Sequence, residues 1–250
     1  VFVINGQTLS VKTLAKWREK FQSAKFLLYM WDSFDNRRGS VLNLKYFDQC
    51  FSFDKNDAAR YQINFRPLFF SAGFELESSR TSIYDISFVG TAHTDRYSVA
   101  TAVKRQLAVD NGFWYFFLQA KWVFWIYKII NPAFKLAKIS EFEFSPLTKL
   151  QVQEVFFSSK IVLDIEHPGQ TGLTMRTLEA LGARKKLITT NSSVQEYDFF
   201  SAENICIINR ADPVTSSLFL SSSYVDVLPE HYQRYRLSGW MDEVLSSIEL

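Results

Sequence analysis

The sequence predicts an α/β protein with parallel sheets in two successive blocks. Short runs rich in Val, Ile, Phe and Tyr alternate with longer stretches of helical periodicity. Several runs are apolar throughout, as in strands that are covered on both faces. With 250 residues, of which 47% are hydrophobic, the chain can bury one large core or two ordinary ones. We therefore expect parallel strands joined by crossover helices.

The elements can be assigned in order along the chain. Strands are predicted at 1–4, 25–31, 49–53, 84–90, 113–119, 160–165, 185–190 and 204–209. Helices are predicted at 10–22, 94–109, 121–130, 172–182 and 230–248. The Ser-rich stretch 70–82 lacks periodicity and is predicted to link the two blocks.

These assignments predict three regions. Because Val1 already begins a strand, residues 1–75 are expected to be the remainder of an incomplete N-terminal domain. Residues 83–225 would form a second, nearly complete doubly wound domain. Residues 226–250 are expected to contain a helix that packs back on the first domain. Ligands of such sheets bind at the carboxyl ends of the strands, so the search for a site starts there.

The composition argues against several functions. Lys and Arg number 28 and Asp and Glu 26, so no nucleic-acid partner is expected from charge. Without a signal peptide or a run of about 18 apolar residues, a soluble cytoplasmic protein is predicted. The three histidines lack metal-ligand spacing, and no Asp-x-Asp pair occurs, so neither a metal site nor a bound cofactor is expected. The motifs of dehydrogenases, P-loop NTPases and serine hydrolases are missing.

The stretch "DIEHPGQTGLTMRTLEALG", residues 164–182, has the most specific pattern. An apolar strand precedes it, and a helix is expected to begin near Thr171 or Gly172, which leaves "EHPGQ" as a loop at the strand's carboxyl end. A helix N-terminus offers unpaired backbone N–H groups, and Gly169 and Gly172 allow close approach to the backbone. This arrangement suits a phosphate.

The predicted helix has an unusual polar face, because Arg176 and Glu179 share it while Leu173, Leu178 and Leu181 are left for packing. Arg176 could pair with phosphate oxygens, and Glu179 could accept hydrogen bonds from the hydroxyls of a ribose. The alternative is an ordinary surface ion pair three residues apart, worth a few tenths of a kcal/mol.

The same stretch, from "GLTMRTLEALG" to "ARKKLITTN", resembles the signature of glycosyltransferases with the two-domain GT-B fold. It is similar in particular to bacterial glycosyltransferases, of the group 1 type, that act in lipopolysaccharide or capsular polysaccharide biosynthesis. "LYMWDS", "YFDQCFSFDKNDA" and "YDISFVGTAHTDRY" resemble further segments of these proteins in the same order. The resemblance covers most of residues 1–210. It implies two Rossmann-like domains, a nucleotide-sugar donor as co-substrate, and a glycan or lipid-linked acceptor.

Carried over to this chain, the resemblance gives roles to individual residues. Glu179 matches the glutamate that holds the donor ribose, and the backbone at Gly172 and Leu173 matches the diphosphate-binding turn. Many retaining members carry a second glutamate eight residues earlier, where this chain has Thr171. His167, as a catalytic candidate, and Gln170 are expected to take over part of its work. The expected donor-binding residues are Gly90, Thr91, His93, Arg96, Gln170, Thr171, Gly172, Leu173, Thr174, Arg176 and Glu179.

The loop "FVGTAHTDRY", residues 88–97, is a second candidate anion site. Gly90 and Thr91 end a strand there, and Arg96 falls in the first turn of the next helix. In the GT-B resemblance the matching loop approaches the donor phosphates, so Arg96 would neutralise the leaving diphosphate and His93 would contact a proton or a phosphate. The alternative is an ordinary helix start with a solvated histidine.

Asp32, at the end of "LYMWD", is the candidate general base, expected to point across a cleft between the domains towards the acceptor hydroxyl. The alternative is that it caps a helix, and for Asp54, before "KNDAARY", capping is the preferred interpretation.

The aromatic run 112–134 allows two interpretations of its helical half, in which Trp122, Trp125, Ile126 and Ile129 form one stripe. The simpler one is a crossover helix that packs this stripe on the sheet. The other is peripheral contact with the inner face of the plasma membrane, with aromatic residues in the interface and lysines towards anionic headgroups.

The predicted activity is therefore metal-independent glycosyl transfer in bacterial surface polysaccharide synthesis. Two alternatives stay open: a non-catalytic module that binds sugar nucleotides or glycans on the same fold, suggested by Thr171, and a nucleotide-sugar epimerase or phosphorylase. Product formation with an acceptor glycan would separate them.

Overall fold

The computed structural model describes residues 1–75, 81–107 and 111–247. It contains two all-parallel sheets, which lie in two compact units. The first unit comprises Val1–Phe69, Gly169–Leu173 and Gln233–Leu250, and the second comprises Phe70–Pro168 and Thr174–Tyr232. Parts of three predicted segments lie outside the described residues: 76–80 of the link, 108–109 of the second helix and 248 of the last helix.

The first unit has a four-stranded sheet whose strands follow one another in chain order. Its N-terminal part consists of β1 (Phe2–Ile4), α1 (Val11–Lys20), β2 (Leu27–Met30), β3 (Gln49–Ser52), α2 (Lys55–Tyr61) and β4 (Asn64–Phe65). All four residues of β2 are buried, as the apolar sequence "LLYM" predicts for a central strand. A 3₁₀ helix lies at Arg38–Tyr46.

The second unit has a six-stranded sheet. Its elements are β5 (Tyr84–Thr91), α3 (Arg96–Leu107), β6 (Gly112–Phe117), α4 (Lys121–Ile130), β7 (Phe142–Glu143), α5 (Lys149–Phe157), β8 (Ser159–Asp164), α6 (Met175–Gly182), β9 (Lys186–Thr189), β10 (Ile205–Ile207) and α7 (Ser217–Ser221). The strand order is β10-β9-β8-β5-β6-β7. This is the order of Rossmann-type doubly wound sheets, in which the first and fourth strands are neighbours at the centre.

The core of the second unit is unusually aromatic. Phe124 of α4 packs on Phe142, and Phe142 packs on Phe134, with ring centroids 5.3 and 5.2 Å apart. Tyr97 and Phe116 join the same cluster. Phe116, Phe124 and Phe134 thus fill the space between the sheet and one covering layer.

The chain ends with α8 (Pro229–Tyr235) and α9 (Leu237–Ser246). The prediction of a single helix over 230–248 is wrong, because Arg236 has extended backbone angles between the two helices. Gly239 makes the tight turn possible, since a Cβ there would lie 2.2 Å from the Gln233 carbonyl oxygen. Trp240 of α9 is buried in the first unit and donates its indole N–H to the Pro67 carbonyl, at 3.0 Å.

All eight predicted strands are present, with ends that differ by at most two residues. Sequence reasoning missed β4 and β7, which have two residues each and are too short to show a period. It also missed α7 and α5, although Thr148 and Gln151 form a capping box in front of α5 that marks a helix start.

α4 is a crossover helix between the parallel strands β6 and β7, as the simpler interpretation expects, but the prediction that it packs the aromatic stripe on the sheet is wrong. Val123 and Phe124 are the buried residues of this helix, whereas Trp122 and Trp125 are exposed. Within the described residues, no helix is both long and apolar enough to cross a membrane.

Candidate functional site

The centre of the second sheet is a topological switch point. β5 and β8 are parallel neighbours, and the chain proceeds from β5 to one edge and from β8 to the other. Their carboxyl ends, Thr91 and Asp164, therefore open into the crevice where doubly wound sheets bind ligands. The loops that follow carry the residues predicted from 88–97 and 164–182.

The loop after β5 is held against the loop after β8 by Arg96. The Arg96 Nε donates to the Ile165 carbonyl at 2.6 Å, and its Nη1 lies 3.1 Å from His93 Nε2. Because a guanidinium can only donate, this assigns His93 Nε2 as the acceptor and places the ring proton on Nδ1. Between them Thr94 adopts a left-handed conformation, with φ of 56°. The loop is thus fixed by its own polar contacts.

Burial, and next the Arg96 charge, lowers the pKa of His93 to about 4, so its imidazole is neutral at pH 7. Burial also lowers the pKa of Arg96, to about 10, and the nearby Arg176 charge contributes. Arg96 stays protonated at neutral pH. The ring of the exposed His167 lies with its centroid 6.1 Å from that of His93. The neutral His93 ring, which can donate from Nδ1, and the Arg96 cation therefore lie together at the switch point.

A second arginine, which sequence reasoning missed, stabilises the same two loops. Arg210 Nη1 donates to both carboxylate oxygens of Asp95, each at 2.8 Å. Its Nη2 donates to the Glu166 carbonyl at 2.6 Å and to Glu166 Oε1 at 2.7 Å. Thr190 donates to the other Glu166 oxygen. The available signal was positional: polar residues follow β8, β9 and β10 at their carboxyl ends.

The start of α6 differs from the prediction. The helix begins at Met175, and Thr174 is its N-cap, with Oγ1 accepting from the Thr177 N–H at 3.3 Å. The Thr174 and Thr177 hydroxyls both donate to Oδ2 of Asp164, at 2.6 and 2.8 Å. Arg176 Nη1 lies 3.2 Å from Asp164 Oδ1. The fully buried Asp164 thus fixes the first turn of α6 to the end of β8.

Glu179 lies one turn further along α6 and is half-buried. Among the described residues, no hydrogen bond or ion pair engages its carboxylate, so the expected alternative of an Arg176–Glu179 surface pair is not formed. Burial raises the pKa of Glu179, the Arg176 charge opposes this shift, and the Asp164 charge adds to it. A partly buried carboxylate without a partner is costly unless a ligand supplies donors.

A cavity of about 180 Å³ opens in the second unit, with Arg176 in its wall. Its lining combines the carboxyl ends of two strands, the segment before α5, one residue of α5 and one cation: Val89, Gly90, Thr91, Tyr115, Phe117, Pro146, Leu147, Val152 and Arg176. The wall is therefore mostly apolar and aromatic, with a guanidinium at one side. Such pockets suit a flat ligand that carries an anionic group.

The remaining residues of the predicted diphosphate turn lie in the first unit, where Asp54 organises them. Gly172 N–H and Thr171 Oγ1 each donate to Asp54 Oδ2 at 2.7 Å. Gln170 Nε2 donates to the Gly172 carbonyl at 2.8 Å, and Leu173 is buried. The Gly172 N–H thus has a protein acceptor in this structure.

Gly172 is required here for packing, because a Cβ would lie 2.5 Å from the Phe53 ring. Asp54 also caps α2, its side chain accepting from the Asn56 and Asp57 N–H groups, so the preferred interpretation of Asp54 is confirmed.

Asp32 follows β2 in the first unit, where it stabilises a turn. Its Oδ1 accepts from the Ser33 N–H and from Asn36 Nδ2, each at 2.9 Å. Its Oδ2 lies 2.8 Å from Arg37 Nε. Asp32 does not cap a regular helix, since residues 33–36 form a turn. These contacts to both oxygens hold the Asp32 carboxylate in one orientation.

The chain was compared with known proteins. No protein-family model matches the sequence, and no curated protein matches it. Among solved structures it is similar to the lipopolysaccharide outer core galactosyltransferase WaaB, with 13% identity over 99% of this chain and 75% of that chain, at a TM-score of 0.52. It is also similar to TarM, with 12% identity over 93% of this chain and 53% of that one, at a TM-score of 0.53.

The GtfA/B complex gives a third match, with 11% identity and a TM-score of 0.52. Here 97% of this chain covers 55% of that chain, so the chain spans about half the length of this structure and of TarM. All three are GT-B glycosyltransferase structures. The predicted fold class is confirmed: the chain is an α/β protein with parallel-sheet domains of the GT-B glycosyltransferase fold.

Proposed function

We propose that the chain is a glycosyltransferase that moves a sugar from a nucleotide-activated donor to a glycan or lipid-linked acceptor in bacterial surface polysaccharide synthesis. The observation that supports this most directly is the apolar cavity with Arg176 in its wall, together with Glu179 on the same helix, whose carboxylate has no hydrogen bond or ion pair within the described residues. The enzyme would be located in the cytoplasm, at the inner face of the plasma membrane.

The donor would bind with its base in the cavity, where Tyr115, Phe117 and Leu147 offer flat or apolar surface. Glu179 would accept hydrogen bonds from the ribose hydroxyls, which would give its carboxylate the donors it lacks within the described residues. Arg176 lines the cavity and carries a charge that a phosphate can pair with. Gly90 and Thr91 would form the floor under the nucleotide.

The chemical step separates negative charge onto the leaving nucleoside diphosphate. Burial, and next the Arg176 charge, lowers the pKa of Arg96, and both guanidinium groups are held by protein acceptors. Preorganised cations at the position of developing charge lower the barrier without reorganisation. The two arginines would therefore do the work that a divalent metal does in other glycosyltransferases. Within the described residues no group of three His, Cys, Asp or Glu side chains could hold a metal ion.

Two residues are proposed for proton transfer and sugar binding. Asp32 would act as the general base on the acceptor hydroxyl, after exchanging Asn36 or Arg37 for that hydroxyl. His167 is exposed at the switch point, next to the neutral His93, and would contact the donor sugar. Gln170, Thr171, Gly172, Leu173 and Thr174 would shape the turn before α6.

The alternative of a non-catalytic binding module has one observation in its favour. Thr171 stands where many retaining family members have a glutamate, and its hydroxyl is bonded to Asp54 and Asn56. Such a module would bind the sugar nucleotide and release no product.

The test is a thermal-shift titration with nucleoside mono- and diphosphates, on the wild type and on Arg176→Ala and Glu179→Gln. A ligand at a hundred times its Kd adds about 2.7 kcal/mol to the stability of the folded state, so one nucleotide should raise the wild-type Tm clearly. Both substitutions should reduce that rise by most of its size. Arg60→Ala and Glu203→Gln, which change exposed residues, serve as matched controls and should keep the full rise.

Two results would contradict the proposal. One is that no nucleotide shifts the wild-type Tm; the other is that the site variants respond as fully as the control variants. Transfer of labelled sugar to a glycan acceptor then separates the enzyme from the binding module, because only the enzyme releases a nucleoside diphosphate in proportion to product.

A further inference from the structure

Helix α4 has two apolar faces. The inner face contributes Val123 and Phe124 to the core of the second unit. The outer face is exposed to solvent although it consists of large apolar side chains, with Trp122 64%, Trp125 56% and Ile129 85% exposed. Together with Ile126, Ile130 and the 91% exposed Leu136, these residues are called the outer α4 surface. Contiguous exposed patches of this kind mark interaction sites.

The charges around this surface have one sign. Residues 119–140 contain four lysines and no aspartate or glutamate. Lys128 donates to the Ala137 carbonyl, and its ammonium lies over the Phe124 ring. Lys121, Lys135 and Lys138 are exposed, and their ammonium groups make no ion pair within the described residues. Glu141, the next carboxylate along the chain, accepts from Tyr97 and from the Lys138 N–H.

We propose that the outer α4 surface docks on a lipid bilayer that contains anionic headgroups. Tryptophan is enriched where hydrocarbon meets headgroups, since one part of its ring is apolar and its N–H is polar. Isoleucine and leucine beside it would enter the acyl boundary, and the lysines would reach the anionic headgroups. The helix would lie in the plane of the membrane surface, attached to a folded domain.

The lysines favour a membrane over a second copy of the chain. Lysine is depleted from the cores of protein–protein interfaces, because its ammonium loses hydration there without a matched partner. Next to an anionic surface the same residue strengthens binding by about fivefold. The three exposed lysines would therefore favour an anionic membrane surface, whereas a dimer interface would place like charges opposite each other.

The docking surface is connected to the candidate donor site within the second unit. Asn131, the residue after α4, donates from Nδ2 to the Thr94 carbonyl at 2.9 Å. Thr94 lies in the loop that orients His93 and Arg96. A bilayer bound at α4 would thus hold the site close to the headgroups, which suits a lipid-linked acceptor; only this last step depends on the proposed function.

The proposal is tested by flotation with vesicles of phosphatidylcholine, with and without phosphatidylglycerol. The wild-type chain should float with the anionic vesicles, and its tryptophan emission should shift to shorter wavelength. The triple variant Trp122→Ala, Trp125→Ala, Ile129→Ala should lose at least about tenfold in partitioning, because it removes most of the inserted area. Neutralising Lys121, Lys135 and Lys138 with Gln should weaken binding by roughly fivefold per residue.

Trp31→Ala is the matched control, since Trp31 is an exposed tryptophan of the first unit. It should float like the wild type. Circular dichroism of each variant establishes that it is folded. The proposal is overturned if the wild type does not bind anionic vesicles, if the triple variant binds equally well, or if velocity sedimentation shows a lipid-free dimer that only the triple variant disrupts. Vesicle binding is measured without nucleotide, so its failure and that of the donor site are separate results.

Discussion

At the scale of single residues, the four carboxylates of the candidate site differ in their hydrogen bonds and ion pairs. Asp164 is fully buried and accepts from two hydroxyls and a guanidinium. Asp95 and Glu166 are paired with Arg210. Glu179 alone among these four has no hydrogen bond or ion pair to a described residue, and burial raises its pKa. The first three hold the loops together, and the fourth is the carboxylate that we propose binds a ligand.

This difference predicts how Glu179→Gln changes stability with pH. A carboxyl group whose pKa is raised in the folded state binds its proton more tightly there, so the folded state is favoured while the group is protonated. That contribution is lost as the pH rises from the unfolded value of 4.5 through the raised pKa. Glu179→Gln removes the burial cost of the charge, and we expect it to raise Tm at pH 8.

The measurement is the difference in Tm between Glu179→Gln and wild type, from pH 4 to pH 8 without ligand. The difference should grow with pH, whereas the exposed Glu203→Gln should give a flat line. A variant that is less stable than wild type at pH 8 would mean that the Glu179 carboxylate has a stabilising partner, and its role as a ligand-binding group would be lost.

At the scale of elements, the point where a helix breaks can depend on a close backbone contact, and hydrophobic periodicity does not predict such a contact. The periodic residues of α8 and α9 can be fitted by one long helix, and the prediction of 230–248 follows from them. The structure instead turns at Arg236, and the turn depends on Gly239 lying against the Gln233 carbonyl. Glycine within a helical pattern often marks such an approach.

We therefore predict that Gly239→Ala destabilises the protein by about 3 kcal/mol, because the contact it would overfill is with backbone and cannot relax by a rotamer change. Gly39→Ala is the matched control, since nothing lies within 4 Å of a Cβ at Gly39. Urea unfolding measures both. Equal midpoints for the two variants would show that the α8–α9 turn tolerates a side chain at position 239.

At the scale of the whole molecule, the sequence predicted the strands and the fold class but not all of the contacts that make the site. Eight apolar runs became strands because burial on both faces leaves a strong signal in a parallel sheet. Arg210 and Asp95 are far apart in the chain, and only the strand order brings them together at the carboxyl edge. The outward orientation of Trp122 and Trp125 also follows from tertiary packing, since α4 is apolar on both faces and its period alone cannot choose between them.

The division into two units leads to the last prediction, which concerns the unit in which a nucleotide donor binds. The proposed contacts to base, ribose and phosphate come from the second unit, through the cavity, Glu179, Arg176 and Arg96. Binding restricts local opening of the segments it contacts, which slows their amide hydrogen exchange. A saturating nucleoside diphosphate should therefore slow exchange in 92–100 and 174–182 by at least about tenfold, equivalent to 1.4 kcal/mol of added local stability.

The comparison region is β1 to β3 of the first unit, which provides none of these contacts and should exchange at an unchanged rate. Hydrogen exchange followed by mass spectrometry gives both regions in one experiment, and Arg176→Ala under the same nucleotide should restore fast exchange in 174–182. Protection confined to 27–30 and 49–54 would place the nucleotide in the first unit, with Asp32 and Asp54 rather than Glu179 as its neighbours. Protection of the switch-point loops, lost in the arginine variant, would tie the nucleotide to the residues that the strand order of the second sheet brings together.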